Sequence, residues 1–119
     1  MEKKNFVSKW NGGENASPQF KGADFLIRMN GDGMKPNYMP GDIVACKRVD
    51  DMTWFQWGKV YAFDTCQGVL VKRVEPSERE GCISLHSDNE KYKPFDLPAD
   101  EVHGVALVVG IVRVETMGV

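Results

Sequence analysis

Gly68-Val-Leu-Val-Lys-Arg-Val74 alternates with a period of two, placing Leu70, Lys72 and Val74 on one face and Val69, Val71 and Arg73 on the other. That is the pattern of a strand with both faces in use. Similar short, β-branched or apolar runs recur at Phe25–Met29, Ile43–Val49, Lys59–Phe63, Ile83–His86 and Val102–Val114. Gly, Pro, Asn and Asp fill the gaps between them, as strand-and-turn chains require. No stretch carries three turns of amphipathic helix, and Asp51–Gln56 has room for one turn at best. Internal repeats are absent, which removes solenoids and propellers. The expected fold is mostly β: a compact, antiparallel domain over residues 23–119 with at most short helical turns. Residues 1–22, polar and rich in Gly, Asn and Ser, read as a linker or N-terminal arm with Phe6, Trp10 and Phe20 as docking points.

The length of 119 residues allows one such domain, and 42 % apolar with 27 % charged residues is a globular balance. Seventeen acidic residues against 15 basic ones give a formal charge of −2, which argues against a basic nucleic-acid coat or a polybasic membrane patch. No apolar run approaches the ~18 residues of a membrane span, and Met-Glu-Lys-Lys-Asn at the start is no secretory signal. Three widely spaced cysteines, Cys46, Cys66 and Cys82, suit a reducing cytoplasm better than a disulfide scaffold. Cys82 and His86 share a strand face, but without a Cys-x-x-Cys partner they give no metal site, and nothing indicates a cofactor.

Two segments are rich in special residues. Asn30-Gly-Asp-Gly-Met-Lys-Pro-Asn-Tyr-Met-Pro-Gly-Asp42 holds three glycines and two prolines in thirteen residues, which specifies a tight, rigid connection between strands. By composition it serves equally as a structural turn. Lys72, flanked on its own face by Leu70 and Val74, either snorkels to an edge or sits desolvated with a lowered pKa.

Taken in order, Gly31-Asp32-Gly33-Met34-x-Pro36, Gly41-Asp42-Ile43-Val44, Val71-Lys72-Arg73, Leu85-x-Ser87-x-Asn89-x-x-Tyr92 and Val102-His-Gly104-Val105 resemble the LexA/phage-repressor/UmuD family of self-cleaving domains, peptidase family S24. The resemblance covers about residues 24–113. It implies the compact LexA C-terminal-like β-clip fold, dimerisation, and commonly an upstream helix-turn-helix domain. It also implies a Ser-Lys dyad that cuts the chain's own linker at an Ala-Gly or Cys-Gly bond. Lys72 matches the dyad base, with Gly31, Asp32, Met34 and Pro36 forming the site loop. A lysine works as a base only when burial holds it neutral, and amides of a tight turn stabilise the oxyanion.

The nucleophile position departs from the pattern. Gly-Asp-Gly-Met stands where the family has Gly-Asp-Ser-Met, so the serine position is Gly33. Loss of such a nucleophile costs on the order of 10⁶ in kcat. Thr65, Cys66, Ser84 and Ser87 are substitutes by type only, since none lies in the matched loop. No Ala-Gly or Cys-Gly dipeptide occurs in the chain. Both departures predict a domain that does not process itself. Gly33 is then a natural loss or an engineered change that protects an otherwise active autopeptidase.

The role that survives is that of a dimerisation and regulatory domain of a phage-repressor-like transcriptional regulator. Such a domain contacts DNA only through a helix-turn-helix domain outside this chain, and a RecA-like filament is the sensed partner in the family's SOS members. A UmuD-like accessory factor for a damage-tolerant polymerase is the alternative. Val102–Val114, apolar on both faces, is either a central core strand or a strand covered by a second subunit. Among the other features, Trp54 and Trp57 read as packing beneath a loop, and His86 and His103 lack the spacing of a catalytic pair. Lys47, Arg48 and Arg73 read as solvated, and Lys91, Tyr92 and Lys93 as a surface turn.

Overall fold

The computed structural model describes residues 22–50 and 55–113. Seven strands form one antiparallel sheet: β1 (Phe25–Arg28), β2 (Ile43–Val49), β3 (Val60–Thr65), β4 (Gly68–Pro76), β5 (Cys82–His86), β6 (Phe95–Pro98) and β7 (Val102–Val112). Their order across the sheet is β1-β2-β7-β3-β4-β5-β6. The mostly β expectation holds, and the sheet curls into a half-barrel of the LexA C-terminal-like kind. Two register shifts, at Ala45/Cys46 in β2 and Asp64/Thr65 in β3, fall on either side of β7, where bulges increase local twist.

Curling lets the sheet bury both faces. Val60 and Ala62 of β3 join Phe25, Met29, Met34, Val44, Cys46 and Ala106 in one cluster. Tyr61 and Phe63, alternating with them, join Val74, Ile83, Leu85, Leu97 and Val105 in the other. Every residue of β3 is therefore buried. Asp64 and Thr65 are carried in with the rest. Five of the six runs read from sequence recur within a residue or two of the observed strands, and the sixth, Val102–Val114, is observed as Val102–Val112 with Val114 outside the described residues. β6 has no counterpart among those runs. Its Phe95-Asp-Leu-Pro98 has one buried apolar residue, Leu97, and its strand character comes from pairing with β5.

The last strand is covered unevenly. Val105 and Ala106 are buried, but Val109 and Ile111 are 46 % and 40 % exposed. The β3 ladder reaches only Leu107, whereas β2 pairs with β7 as far as Val112. The end of β7 thus has one edge unpaired among the described residues. The arm, apart from Gly22, lies outside the described residues, as do Trp54 and most of Asp51–Gln56. Trp57 is half exposed and packs on Phe55 at 5.7 Å between ring centroids. Among the described residues no helix is long and apolar enough to cross a membrane.

Candidate functional site

The loop between β1 and β2 is shaped by its glycines and anchored by Met34. Gly31 has φ +78°, a conformation that L side chains rarely adopt, so glycine is required there. Met34 is 2 % exposed and plugs the first core cluster, which fixes the loop onto the sheet. Pro36 follows a cis peptide bond from Lys35 and is exposed. At the loop's end, buried Asp42 accepts hydrogen bonds from Arg113 at 2.8–3.2 Å and from the Met39 amide at 2.7 Å. The Arg113 guanidinium holds the Asp42 carboxyl below the usual carboxylate range.

The loop carries Gly33 to the side chain of Lys72. A Cβ at position 33 would lie 3.1 Å from Lys72 Nζ and 3.8 Å from Ser87 Oγ. Gly33, unlike Gly31, does not have a left-handed φ, so its backbone does not demand glycine. Lys72 is half-buried on β4, and desolvation lowers its pKa. It donates to Ser87 Oγ at 2.7 Å and, among the described residues, faces no carboxylate. The sequence-predicted site residues Gly33 and Lys72 therefore meet in space although 39 positions separate them (72 minus 33).

The β5–β6 loop closes the site from the other side. Asn89 donates from its amide to the Gly33 carbonyl at 2.9 Å and from Nδ2 to the Asp32 carbonyl at 2.9 Å. The Asp32 carboxylate accepts from Tyr92 Oη at 2.6 Å and from Lys91 Nζ at 3.0 Å, and these partners lower its pKa. Ser87, Asn89 and Tyr92 thus each hold either Lys72 or the glycine loop. Lys91 and Tyr92 do more than shape a surface turn, since they tie it to the site. The amides of Gly33 and Met34 donate to no protein acceptor among the described residues.

Arg73 corrects a sequence expectation. Instead of being solvated, it donates from Nε and Nη2 to Asp88 at 2.9 and 2.7 Å, and from Nη1 to the Gly58 carbonyl at 2.7 Å. Asp88 also accepts from Asn37 Nδ2 at 2.8 Å, so this carboxylate joins β4, the β5–β6 loop and the glycine loop. Its partner was invisible in sequence because the strand alternation that places Arg73 says nothing about a loop 15 positions on. Lys47 and Arg48 are exposed, as expected. His86 lies 2.9 Å from Ser84 Oγ, and His103 is exposed on another strand.

Asp88→Ala is expected to cost about 3 kcal/mol, because it strands a partly buried guanidinium. The Arg73 guanidinium holds the Asp88 carboxyl below its ordinary 3.8. The stabilisation is therefore complete above about pH 4 and lost as pH falls through the lowered value. Urea unfolding at about pH 7 and about pH 2 is expected to show a smaller deficit for the variant at the second than at the first. An equal deficit at both would remove the ion pair as its cause.

A groove of ≈ 500 Å³ runs between β1 and the start of β4, lined by Leu26, Ile27, Arg28, Val69, Leu70, Gly33 and Lys72 among others. β4 pairs with β5 only from Arg73 onward, and β1 pairs only with β2. Both walls therefore present strand edges unpaired among the described residues, the setting in which an extended peptide adds as a strand.

The profile of the family described as Peptidase S24-like matches residues 5–109. LexA repressors are similar to this chain: that of Vibrio atlanticus is 35 % identical over 94 residues, and that of Aliivibrio fischeri 34 % over 97. The matched stretches are 76 % and 79 % of this chain, but only 43 % and 44 % of those repressors. The LexA repressor of Shewanella loihica is 34 % identical over 94 residues, with the same partial coverage.

Proposed function

The chain belongs to the Peptidase S24-like family, and from that membership we propose that it is the dimerising, regulatory domain of a LexA-like repressor and does not cut itself. One observation carries the second half of this reading. The place beside Lys72 where a nucleophile's Cβ would sit belongs to a glycine. The surroundings support a Ser-Lys ancestry for the site: a partly desolvated amine, turn amides without a protein acceptor among the described residues, and a groove with strand-like walls. Glycine at a position whose backbone accepts any residue is a chemical loss and not a structural need. The relatives, named as repressors, are more than twice as long as the stretch they share with this chain. DNA is contacted, in this proposal, by a helix-turn-helix domain outside residues 1–119, and the protein works in the cytoplasm. A RecA-like filament that promotes cutting in such proteins finds no hydroxyl at position 33 to activate.

Intact mass measured after days at about pH 7 to pH 10, together with sedimentation, tests the proposal. A single 13.4 kDa species that sediments as a pair is the expected result. Fragments would refute the absence of self-cutting, and one-chain mass at tens of micromolar would refute dimerisation.

A further inference from the structure

With glycine at position 33, the Lys72 amine has no side chain there to activate. Its Nζ borders the groove, touches one hydroxyl and no carboxylate among the described residues, and adjoins the space a side chain at position 33 would fill. An acyl carbon entering that space comes within about 3 Å of the nitrogen, the near-attack range. The amides of Gly33 and Met34 remain unclaimed for its carbonyl oxygen. We infer that Lys72 is an acyl-acceptor site, taking a small acyl group from an activated donor, a thioester or an acyl phosphate, that reaches the groove.

The amine lone pair attacks the carbonyl carbon, and a C–N bond forms as the C–S or C–O bond breaks. The departing thiolate or phosphate carries the electron pair, and the proton lost from nitrogen goes to it or to water. The product is a neutral amide, which keeps a donor for Ser87 and removes the charge. Partial burial favours the reaction by raising the neutral fraction of the amine. The inference depends on Gly33 and the groove, and stands or falls apart from dimerisation.

The test incubates the whole chain at about pH 7.5 with acetyl phosphate and, separately, with an acetyl thioester of N-acetylcysteamine. Mass spectrometry of peptides gives the initial rate at each lysine. Lys72 is expected to be acetylated at least ~10-fold faster than exposed Lys47, Lys59 and Lys93 with at least one donor, and the adduct to resist hydroxylamine. Gly33→Val, which fills the space, is expected to abolish that preference while leaving the three exposed lysines unchanged. Equal or slower labelling of Lys72 with both donors would overturn the inference. So would a hydroxylamine-labile acetyl group on Ser87, which would make the hydroxyl the acceptor.

Discussion

Gly33→Ser is expected to give a working acyl-transfer centre, with a gain on the order of 10⁶ in kcat over the parent chain. The Cβ of the new residue would meet Lys72 Nζ at 3.1 Å, which is tight, but the atom that must yield is the far end of a flexible side chain. A shift of a few tenths of an ångström suffices, and the hydroxyl then lies within reach of the amine. Nothing in the backbone resists, since φ at position 33 is not left-handed. Two readouts apply: covalent labelling of Ser at position 33 by a fluorophosphonate, and cleavage of a peptide that carries an Ala-Gly bond. The neutral amine is the base, so the rate is expected to climb with pH and level off once Lys72 is deprotonated. That plateau comes at lower pH than the 10.5 of an ordinary lysine would give, because burial destabilises the ammonium form. Adding Lys72→Ala is expected to abolish both signals. If the single variant, with an unchanged thermal midpoint, showed neither signal at any pH, the machinery around position 33 would have decayed beyond its nucleophile.

How much of this was legible beforehand differs between fold and site. Strand alternation located six runs because each has its own apolar period, and it failed at β6, where Phe95 and Asp96 are both exposed and pairing alone makes the strand. The encounter of Gly33 with Lys72 was accessible only through the order and spacing of the motifs, because it depends on a loop and a strand from different parts of the sheet. Ser87 was visible as a hydroxyl in a motif, but its bond to Lys72 was not. Sequence reading named it as a substitute nucleophile by type only and set it aside for lying outside the matched loop, and its observed contact is as the acceptor that holds the lysine. Arg73 and Asp88 escaped notice for the same reason. A charge on an alternating strand reads as solvated until a distant loop is folded over it.

The end of β7 yields the second large effect. Val109 sits at the register shift between β2 and β7 and Ile111 pairs with Val44 beyond it, and both are exposed, whereas Val105 and Leu107 pack into the second core cluster. Past Leu107 the β3 ladder stops, so two apolar side chains and an unpaired strand edge coincide among the described residues. In a dimer, a second copy placed across this strand by a two-fold axis would cover both at once. Burying two such side chains is worth roughly 3–6 kcal/mol, or about 10² to 10⁴ in the dimer Kd. Val109→Asp combined with Ile111→Asp is therefore expected to give one-chain mass at tens of micromolar, where the parent sediments as a pair. Far-UV circular dichroism is expected to stay the same, because neither side chain contributes to the core of its own chain. Were the double variant to sediment as a pair like its parent, the subunit contact would have to lie elsewhere. The coupling to function then follows from symmetry. In the proposed repressor, reading a two-fold operator needs two DNA-reading parts held together, and a domain that does not cut itself would hold them without interruption.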